Sequence, residues 1–237
     1  MAFHSFCTGN DMRYSSECNY NQSIEEKLKL KAPKPSYEII TKIKKFARYD
    51  QKVEYKVISK HNFDQNNIPH WIDLNLYSIK TSKYKNLVCL QIVNNNFSSC
   101  HPFIQDPNVI LYCHENETDL FRLVPFLIDL SVQMKCDIIS FDYFGFGCSS
   151  GKPKINTFMS NTETIINFIL SKNYSIENII LFGRGIGAIC TIYLASRQDY
   201  KDVKGLILLE PVIDKCIIDQ NAMKSILCPT LLIQEVE

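Results

Sequence analysis

The 237-residue sequence predicts an α/β protein built on a doubly wound, mostly parallel sheet. From about residue 109 onwards, short apolar runs typical of buried strands alternate with segments whose apolar residues recur at the 3.6-residue spacing of a helix. Before that point, polar and apolar residues alternate one by one, which is typical of strands with one exposed face. The composition, 46% hydrophobic and 22% charged, is that of an ordinary globular domain.

Residues 1–35 are predicted to form a flexible N-terminal segment ahead of a single domain over residues 36–237. The segment is polar and aperiodic, apart from a short charged helix candidate at Ser23–Leu30. Pro33 and Pro35 then interrupt the chain, because each proline removes a backbone donor and restrains the residue before it. The N-terminus has no basic stretch followed by an apolar core, so no secretory signal is predicted, and no apolar run is long enough to span a bilayer.

An antiparallel meander of three strands is predicted for the first part of the domain. The alternating segments are Val53–Ser59, Asp73–Lys80 and Leu87–Val93, with the polar stretch Lys60–Ile68 as an insert between the first two. These strands are expected to lead directly into the parallel part of the sheet.

Parallel strands and crossover helices are predicted for the rest of the chain. The predicted strands are Val109–Cys113, Asp137–Asp142, Asn178–Phe182, Lys204–Leu209 and Thr230–Gln234. The intervening helices are marked by apolar residues at helical spacing: Leu120, Leu123, Val124, Leu127 and Ile128; then Ile165, Ile166, Ile169 and Leu170; then Ile186, Ile189, Cys190, Tyr193 and Leu194. Strands joined by helices in this way form a parallel sheet that is covered on both faces.

The turn after the strand Asn178–Phe182 carries the most informative motif. Residues 183–187 read Gly-Arg-Gly-Ile-Gly and precede a helical pattern. A strand, a G-x-S-x-G turn and a helix form the nucleophile elbow of serine hydrolases, in which the central serine is held on a strained turn. Gly185 stands at the position of that serine, and glycine has no side chain with which to attack a substrate.

Three segments, in their order and spacing, resemble the α/β-hydrolase superfamily. Leu111–Asn116 ends in His-Glu-Asn, Phe141–Pro153 reads Phe-Asp-Tyr-Phe-Gly-Phe-Gly-Cys-Ser-Ser-Gly-Lys-Pro, and the glycine turn follows another strand. More narrowly, they resemble the depalmitoylating abhydrolase-domain proteins of type seventeen and their serine-aminopeptidase-like relatives. The motifs of that family run S-H-G-N, Y-D-Y-x-G-Y-G-x-S-S-G-K-P and G-Q-S-I-G. Lys27–Tyr37 is also similar to the segment that leads into the family's domain, so the resemblance covers roughly residues 27–234.

The resemblance implies an α/β-hydrolase sheet that lacks its last strand and helix. It also implies an oxyanion loop at His114, Glu115 and Asn116, with a second oxyanion donor in the backbone of Ile186. In the family a glycine stands where this chain has Glu115. An oxyanion hole aims donors at developing negative charge, so a carboxylate at this position opposes catalysis.

The other two members of the catalytic triad also depart from the family pattern. The family's acid lies just after the strand here predicted at Thr230–Gln234, which leaves Glu235, or the terminal Glu237, as the candidate acid. In this fold the triad follows the chain order Ser, Asp or Glu, His. All five histidines, at positions 4, 61, 70, 101 and 114, precede the elbow.

The sequence therefore predicts a hydrolase homologue that is catalytically inactive and acts in binding or regulation, with a protein or an acyl-type molecule as its ligand. A degraded gene copy is the competing explanation. An active ester or thioester hydrolase with an atypical site remains the alternative. A third interpretation is a dinucleotide site, because Gly183, Gly185 and Ala188 satisfy G-x-G-x-x-A after a strand, and Glu210 ends the next strand.

Serines and cysteines near the three motifs are the candidate substitute nucleophiles. Ser149 and Ser150 lie in the glycine-rich loop and are predicted to shape it through hydrogen bonds to nearby backbone. The sequence has ten cysteines and no C-x-x-C, so free thiols in a reducing, cytoplasmic setting are predicted, with no metal site and no cofactor. The thiols considered as nucleophiles, but predicted to pack in the core, are Cys113, Cys148 and Cys190.

Membrane and nucleic-acid partners receive little support from the sequence. Cys7 and Cys18 lie in the segment where the resembled depalmitoylases carry lipidated cysteines, but stable anchoring takes two signals and no polybasic stretch accompanies them. Peripheral membrane attachment is therefore the less favoured prediction. The formal net charge of +1 gives no indication of a nucleic-acid partner.

Overall fold

The structure, a computed structural model, describes residues 30–41, 55–59, 68–82, 85–98, 107–212 and 220–234. Its strands are β1 (Tyr37–Thr41), β2 (Tyr55–Ser59), β3 (Ile72–Ser82), β4 (Lys85–Asn94), β5 (Val109–Cys113), β6 (Asp137–Phe141), β7 (Ile179–Arg184), β8 (Gly205–Leu209) and β9 (Thr230–Ile233). Its α-helices are α1 (Asn95–Ser98), α2 (Leu120–Met134), α3 (Ile155–Ser171), α4 (Gly187–Ala195) and α5 (Gln220–Lys224). Short 3-10 helices span Ile176–Asn178 and Gln198–Tyr200.

A seven-stranded mixed sheet in the order β3-β4-β6-β5-β7-β8-β9 forms the centre of the molecule. β3 and β4 form an antiparallel pair, β4 is antiparallel to β6, and the strands from β6 to β9 are parallel. The mostly parallel sheet predicted from the sequence is confirmed. β7 lies between β5 and β8, so the turn that follows it opens at the carboxyl edge of the sheet, where open α/β sheets bind their ligands.

The predicted three-stranded meander is wrong in its first member. β2 pairs with β1 in a separate two-stranded sheet, with Tyr37 opposite Ser59, whereas β3 and β4 pair as expected. The polar insert Lys60–Ile68 is longer than the two to five residues of a hairpin loop, so the local sequence does not force β2 against β3. The partner of β2 is instead β1, whose sequence Tyr-Glu-Ile-Ile-Thr was not predicted to form a strand.

Helices cover both faces of the large sheet, which confirms the doubly wound prediction. One buried apolar cluster includes the inward residues of α3 and α4, and a second includes those of α2. The helical positions predicted to be inside are buried in α2: Leu120, Leu123, Val124, Leu127 and Ile128. No helix in the described ranges combines the length and the apolar character needed to cross a membrane.

The start of α2 is fixed by a carboxylate that the sequence places one residue ahead of the helix. Asp119 is the N-cap, and its side chain accepts a hydrogen bond from the backbone N–H of Arg122 at 3.1 Å. Such a cap satisfies one of the free N–H groups of the first helical turn. The loop between β5 and α2, residues 114–118, is thereby held at the carboxyl edge of the sheet.

Candidate active site

The turn between β7 and α4 has the geometry of a nucleophile elbow. Gly185 has a φ of +54°, in the left-handed region that favours glycine. Its N–H donates to the carbonyl oxygen of Leu209 at 3.1 Å, and its own carbonyl accepts from the N–H of Val212 at 3.2 Å. The end of β8 therefore holds the turn in place, and Gly185 lies at the carboxyl end of β7, as the motif predicts.

The other two glycines of the turn allow α4 to approach the sheet closely. A Cβ at Gly187 would lie 2.0 Å from the carbonyl oxygen of Cys113, and a Cβ at Gly183 would lie 2.5 Å from the Cα of Ala188. At Gly185 the nearest atom to such a Cβ would be the Cβ of Glu115, at 3.2 Å. The nucleophile position therefore points towards Glu115, with more room than its two glycine neighbours have.

An ion-pair network lies beside this position. The guanidinium of Arg184 lies 3.5 Å from a carboxylate oxygen of Glu115 and 3.6 Å from one of Glu210, and all three side chains are partly exposed. Burial and the Glu115 carboxylate raise the pKa of Tyr112, so its hydroxyl stays neutral and lies 3.5 Å from Glu115 as a donor. Because parallel strands end at the same edge, the loops after β5, β7 and β8 meet here, and one arginine joins two carboxylates over the elbow.

The ring nitrogens of His114, the histidine of the predicted oxyanion loop, face Glu115 and Asp142. Its ring is fully buried and packs against Tyr143, with 4.6 Å between ring centroids. One ring nitrogen, Nδ1, lies 2.7 Å from the carbonyl oxygen of Glu115, and the other, Nε2, lies 3.6 Å from Asp142. Burial lowers the pKa of His114 to about 4, so the ring is neutral at pH 7 and neither nitrogen faces Gly185.

The remaining predicted site residues have separate roles in the structure. The side-chain oxygen of Asn116 accepts a hydrogen bond from the backbone N–H of Lys31 at 3.1 Å. Ile186 precedes α4 with a buried side chain, so its backbone lies at the N-terminus of that helix, as the resemblance implies. The candidate acids Glu235 and Glu237 lie outside the described residues, as do the possible anchor residues Cys7 and Cys18.

The two serines of the glycine-rich loop are bonded to strand β4 and to their own loop. The hydroxyl of Ser149 donates to the carbonyl of Asp142 at 2.7 Å and accepts from the N–H of Val88 at 2.8 Å. The hydroxyl of Ser150 bonds to both the side chain and the backbone of Asn86. Neither contact pairs a serine with a base, which a serine nucleophile requires.

The cysteines considered as nucleophiles are poorly placed for that role. Cys113 and Cys190 are fully buried, and burial raises the pKa of Cys190 to about 12. A thiol in that state carries almost no thiolate at pH 7. The thiol of Cys148 donates to the backbone carbonyl of Tyr37 at 3.4 Å. In the described part of the chain, no group of three or more His, Cys, Asp or Glu side chains is arranged to hold a metal ion.

A buried polar cluster next to the oxyanion-type loop was missed from the sequence. Ser36 donates to the Asp119 carboxylate through its backbone N–H at 2.8 Å and its hydroxyl at 2.5 Å. The Tyr37 hydroxyl donates to the buried carboxylate of Asp142, which also accepts from the N–H of Leu120 at 2.8 Å. Asp119 could have been predicted as a helix cap, because it directly precedes a helical pattern. Nothing in the local sequence predicts that Asp119 bonds to Ser36 or that Asp142 bonds to Tyr37.

The strand order, the elbow and the loop after β5 together define a domain of the α/β-hydrolase type. Among solved structures, a predicted hydrolase from Thermoplasma acidophilum superimposes with a TM-score of 0.52 at 17% identity, covering 68% of this chain and 73% of that one. The esterase Pf2001 of Pyrococcus furiosus gives a TM-score of 0.52 at 17% identity, covering 68% of this chain and 70% of that one. These similarities establish the fold.

Curated relatives narrow the similarity to the alpha/beta hydrolase domain-containing proteins. The chain is 27% identical over 194 residues to the protein aho-3 of Caenorhabditis elegans, a match that covers 81% of this chain and 52% of the relative. It is 33% identical over 121 residues to human protein 17C, covering 51% of this chain and 34% of the relative. No protein-family model matches the chain.

The chain is therefore a homologue of the alpha/beta hydrolase domain-containing proteins, and the predicted resemblance is confirmed. Its matched part spans about half the length of the nematode relative and about a third of the human one.

Proposed function

We propose that this chain is a catalytically inactive member of the hydrolase fold, whose elbow site serves in binding or regulation. The observation that carries the proposal is Gly185, which holds the conformation of a nucleophile residue without a nucleophile. The contact of a Gly185 Cβ with the Cβ of Glu115 supports it, because the resemblance implies an oxyanion loop with glycine at position 115, and a carboxylate in such a loop opposes catalysis.

The absence of a base among the described residues near the elbow supports the same proposal. The resemblance requires an imidazole beside the nucleophile, and His114 has its two ring nitrogens facing Glu115 and Asp142 instead. Arg184 and Glu210 complete the surroundings of the turn as an ion pair, and neither side chain is an imidazole that could act as the base of a serine nucleophile. The described part of the site thus combines the turn of a hydrolase site with a glycine at the nucleophile position and no neighbouring base.

No observation specifically favours either alternative, the active hydrolase with an atypical site or the dinucleotide site. An active hydrolase with an atypical site needs an activated nucleophile, and the described serines and cysteines of the region are bonded to backbone or buried. A dinucleotide site needs a Rossmann arrangement, whereas β3 and β4 add an antiparallel pair and the strand order is that of hydrolases. A cytoplasmic location, and any role of Cys7 and Cys18, stay predictions from the sequence.

Turnover of the purified chain tests the inactivity. We expect p-nitrophenyl esters and a long-chain acyl thioester to be hydrolysed at the rate in buffer, under conditions in which an ordinary esterase of this fold is active. Turnover well above buffer that disappears in Ser149→Ala or in Glu115→Gln would overturn the proposal.

Binding of a non-hydrolysable acyl thioether tests the ligand role. Gly185→Leu fills the space that faces Glu115 and should abolish binding. Asn173→Leu is the matched control, because Asn173 has a φ of +66° in an exposed turn, so the variant introduces comparable backbone strain away from the elbow. Equal affinity of both variants for the thioether would place the ligand elsewhere and refute an acyl-binding role of this site.

A further inference from the structure

A buried histidine–aspartate pair lies beneath the oxyanion-type loop and is not used by the proposed function. His114 and Asp142 are both fully buried, and Nε2 of the imidazole lies 3.6 Å from Oδ1 of the carboxyl group. Among the described residues, Nε2 has no hydrogen-bond partner, whereas Nδ1 lies 2.7 Å from the carbonyl oxygen of Glu115. The imidazole therefore stands between two acceptors.

The groups around His114 and Asp142 determine which of their atoms carry hydrogen. A carbonyl oxygen can only accept, so Nδ1 of His114 carries the hydrogen that bonds to Glu115. In a neutral ring Nε2 then presents a lone pair, which would face a negative carboxylate if Asp142 were ionised. The conflict disappears when the pair holds one more proton, either on Asp142 or on Nε2.

The surroundings favour a pair that carries no net charge. The Tyr37 hydroxyl and the Leu120 N–H donate to Asp142 and favour its ionised form, but burial, which is the larger effect, and the nearby Asp119 carboxylate both favour the neutral form. From the loop after β6, the groups that face the pair are the Tyr143 ring and Cys148, whose N–H points at the Tyr37 hydroxyl. No lysine or arginine in the described ranges forms an ion pair with Asp142.

We propose that His114 and Asp142 titrate as a pair that holds one proton besides the one on Nδ1, and that this proton, shared in the sense that it belongs to the pair, keeps the loop of residues 114–117 in its position over the elbow. Burial acts in the same direction on both groups, since it raises the pKa of Asp142 to about 7 and lowers that of His114 to about 4. The shared proton is therefore retained in weak acid and lost in weak base.

Loss of the proton is transmitted to Glu115. The O–H bond of Asp142 breaks and its proton binds Nε2, while the Nδ1–H bond breaks and that proton leaves to water, so the pair loses one proton in all. The hydrogen on Nε2 now faces the Asp142 carboxylate, 3.6 Å away, and the lone pair of Nδ1 faces the Glu115 carbonyl oxygen at 2.7 Å. That repulsion releases the loop of residues 114–117, in which the side chain of Glu115 forms an ion pair with Arg184 beside Gly185. The device rests on the hydrogen bond between Nδ1 and the Glu115 carbonyl oxygen and on the burial of the pair, so it holds whether or not the site is catalytic.

Nitrogen NMR of the ¹⁵N-histidine-labelled chain between pH 5 and pH 9 tests the proposal. We expect His114 to be an Nδ1–H tautomer at pH 6 and an Nε2–H tautomer at pH 8. Amide exchange of residues 114–117, corrected for its intrinsic pH dependence, should rise about tenfold over the same interval, the increase in deprotonated fraction for a pKa of about 7. Contacts with the Tyr143 ring assign the signal without a variant. A tautomer that stays fixed from pH 5 to pH 9, or a plain imidazolium titration near pH 6.5, would overturn the proposal.

Asp142→Asn and Asp137→Asn form the matched pair of variants. Asp137 is also a buried carboxyl group with a raised pKa due to burial, and it accepts from the Tyr174 hydroxyl at 2.6 Å, away from His114. We expect Asp142→Asn to abolish the tautomer change and Asp137→Asn to leave it intact. Retention of the change in a folded Asp142→Asn protein would refute the assignment of the proton to this pair, and if that variant does not fold, the tautomer measurement on the unmodified chain decides.

Discussion

Replacing Gly185 with serine would return the missing hydroxyl, and its cost can be worked out from the turn. At a φ of +54° a residue with a Cβ loses about 1–2 kcal/mol relative to glycine. The new Cβ would also lie 3.2 Å from the Cβ of Glu115, close enough to require a small displacement of that side chain. For a protein of 150–250 residues, each kcal/mol lowers the melting temperature by about 2–4 °C, so we expect a fall of roughly 2–8 °C.

Two further substitutions separate the sources of this cost. Gly185→Ala carries the same backbone strain without a hydroxyl and should melt within about 2 °C of the serine variant. Gly187→Ala has no left-handed strain, but its Cβ would lie 2.0 Å from the carbonyl oxygen of Cys113. Because backbone must move there, we expect a loss above about 3 kcal/mol. Thermal denaturation of the three variants would refute this account of the turn if Gly185→Ser proved as damaging as Gly187→Ala, or more stable than the unmodified chain.

The serine variant should also remain inactive. A serine hydroxyl at its ordinary pKa is a weak nucleophile without an adjacent base, and His114 is neutral, buried and directed at Asp142. Adding Glu115→Gly removes the carboxylate from the oxyanion-type loop without supplying an imidazole. Robust ester turnover by Gly185→Ser alone would show that a histidine reaches the elbow, which would contradict the arrangement described for His114.

Three other predictions concern the buried and half-exposed charges. Asp119→Asn should lower the free energy of unfolding in urea by about 1–3 kcal/mol, because it weakens an N-cap and buried hydrogen bonds. The control is Asp129→Asn at an exposed position, which should change this free energy by less than about 0.5 kcal/mol. Equal losses in the two variants would contradict the prediction. The raised pKa of Asp142 (about 7, from 3.8) gives stability that is lost as pH rises, and the lowered pKa of His114 (about 4, from 6.5) gives stability that grows with pH. The two effects cancel between about pH 4 and 6.5, so the free energy of unfolding of the Asp142→Asn variant should increase with pH over this interval. A pH dependence parallel to that of the unmodified chain would contradict the prediction. Arg184→Met should cost less than about 1 kcal/mol in urea, since its ion pairs are partly exposed, and a loss above about 2 kcal/mol would contradict this.

The strands and helices of the parallel region could be predicted because their signal is local. Burial on both faces makes β5 and β7 continuous apolar runs, and burial on one side gives α2 its 3.6-residue spacing. The elbow could also be predicted, because a strand followed by glycines at 183, 185 and 187 and then by a helical pattern is a local sequence motif. The contacts that these glycines permit with Cys113 and Glu115 are visible only in the structure.

What the sequence did not predict depends on contacts between distant residues. β1 pairs with β2, and Ser36 and Tyr37 bond to carboxylates 83 and 105 residues further along the chain. Hydrophobic periodicity carries no information about such partners. Likewise the parallel topology places the loops after β5, β7 and β8 at one edge, but only the structure shows that Arg184 reaches both Glu115 and Glu210.

Covalent labelling of the unmodified chain tests the loss of the nucleophile most directly. After incubation with a fluorophosphonate probe or an acyl thioester, intact-protein mass spectrometry should show an unchanged mass, because none of the described residues at the elbow carries an activated hydroxyl or thiol. A stoichiometric adduct that peptide mapping places on Ser149, Ser150 or Cys190, and that forms at the same rate as substrate turnover, would contradict the account.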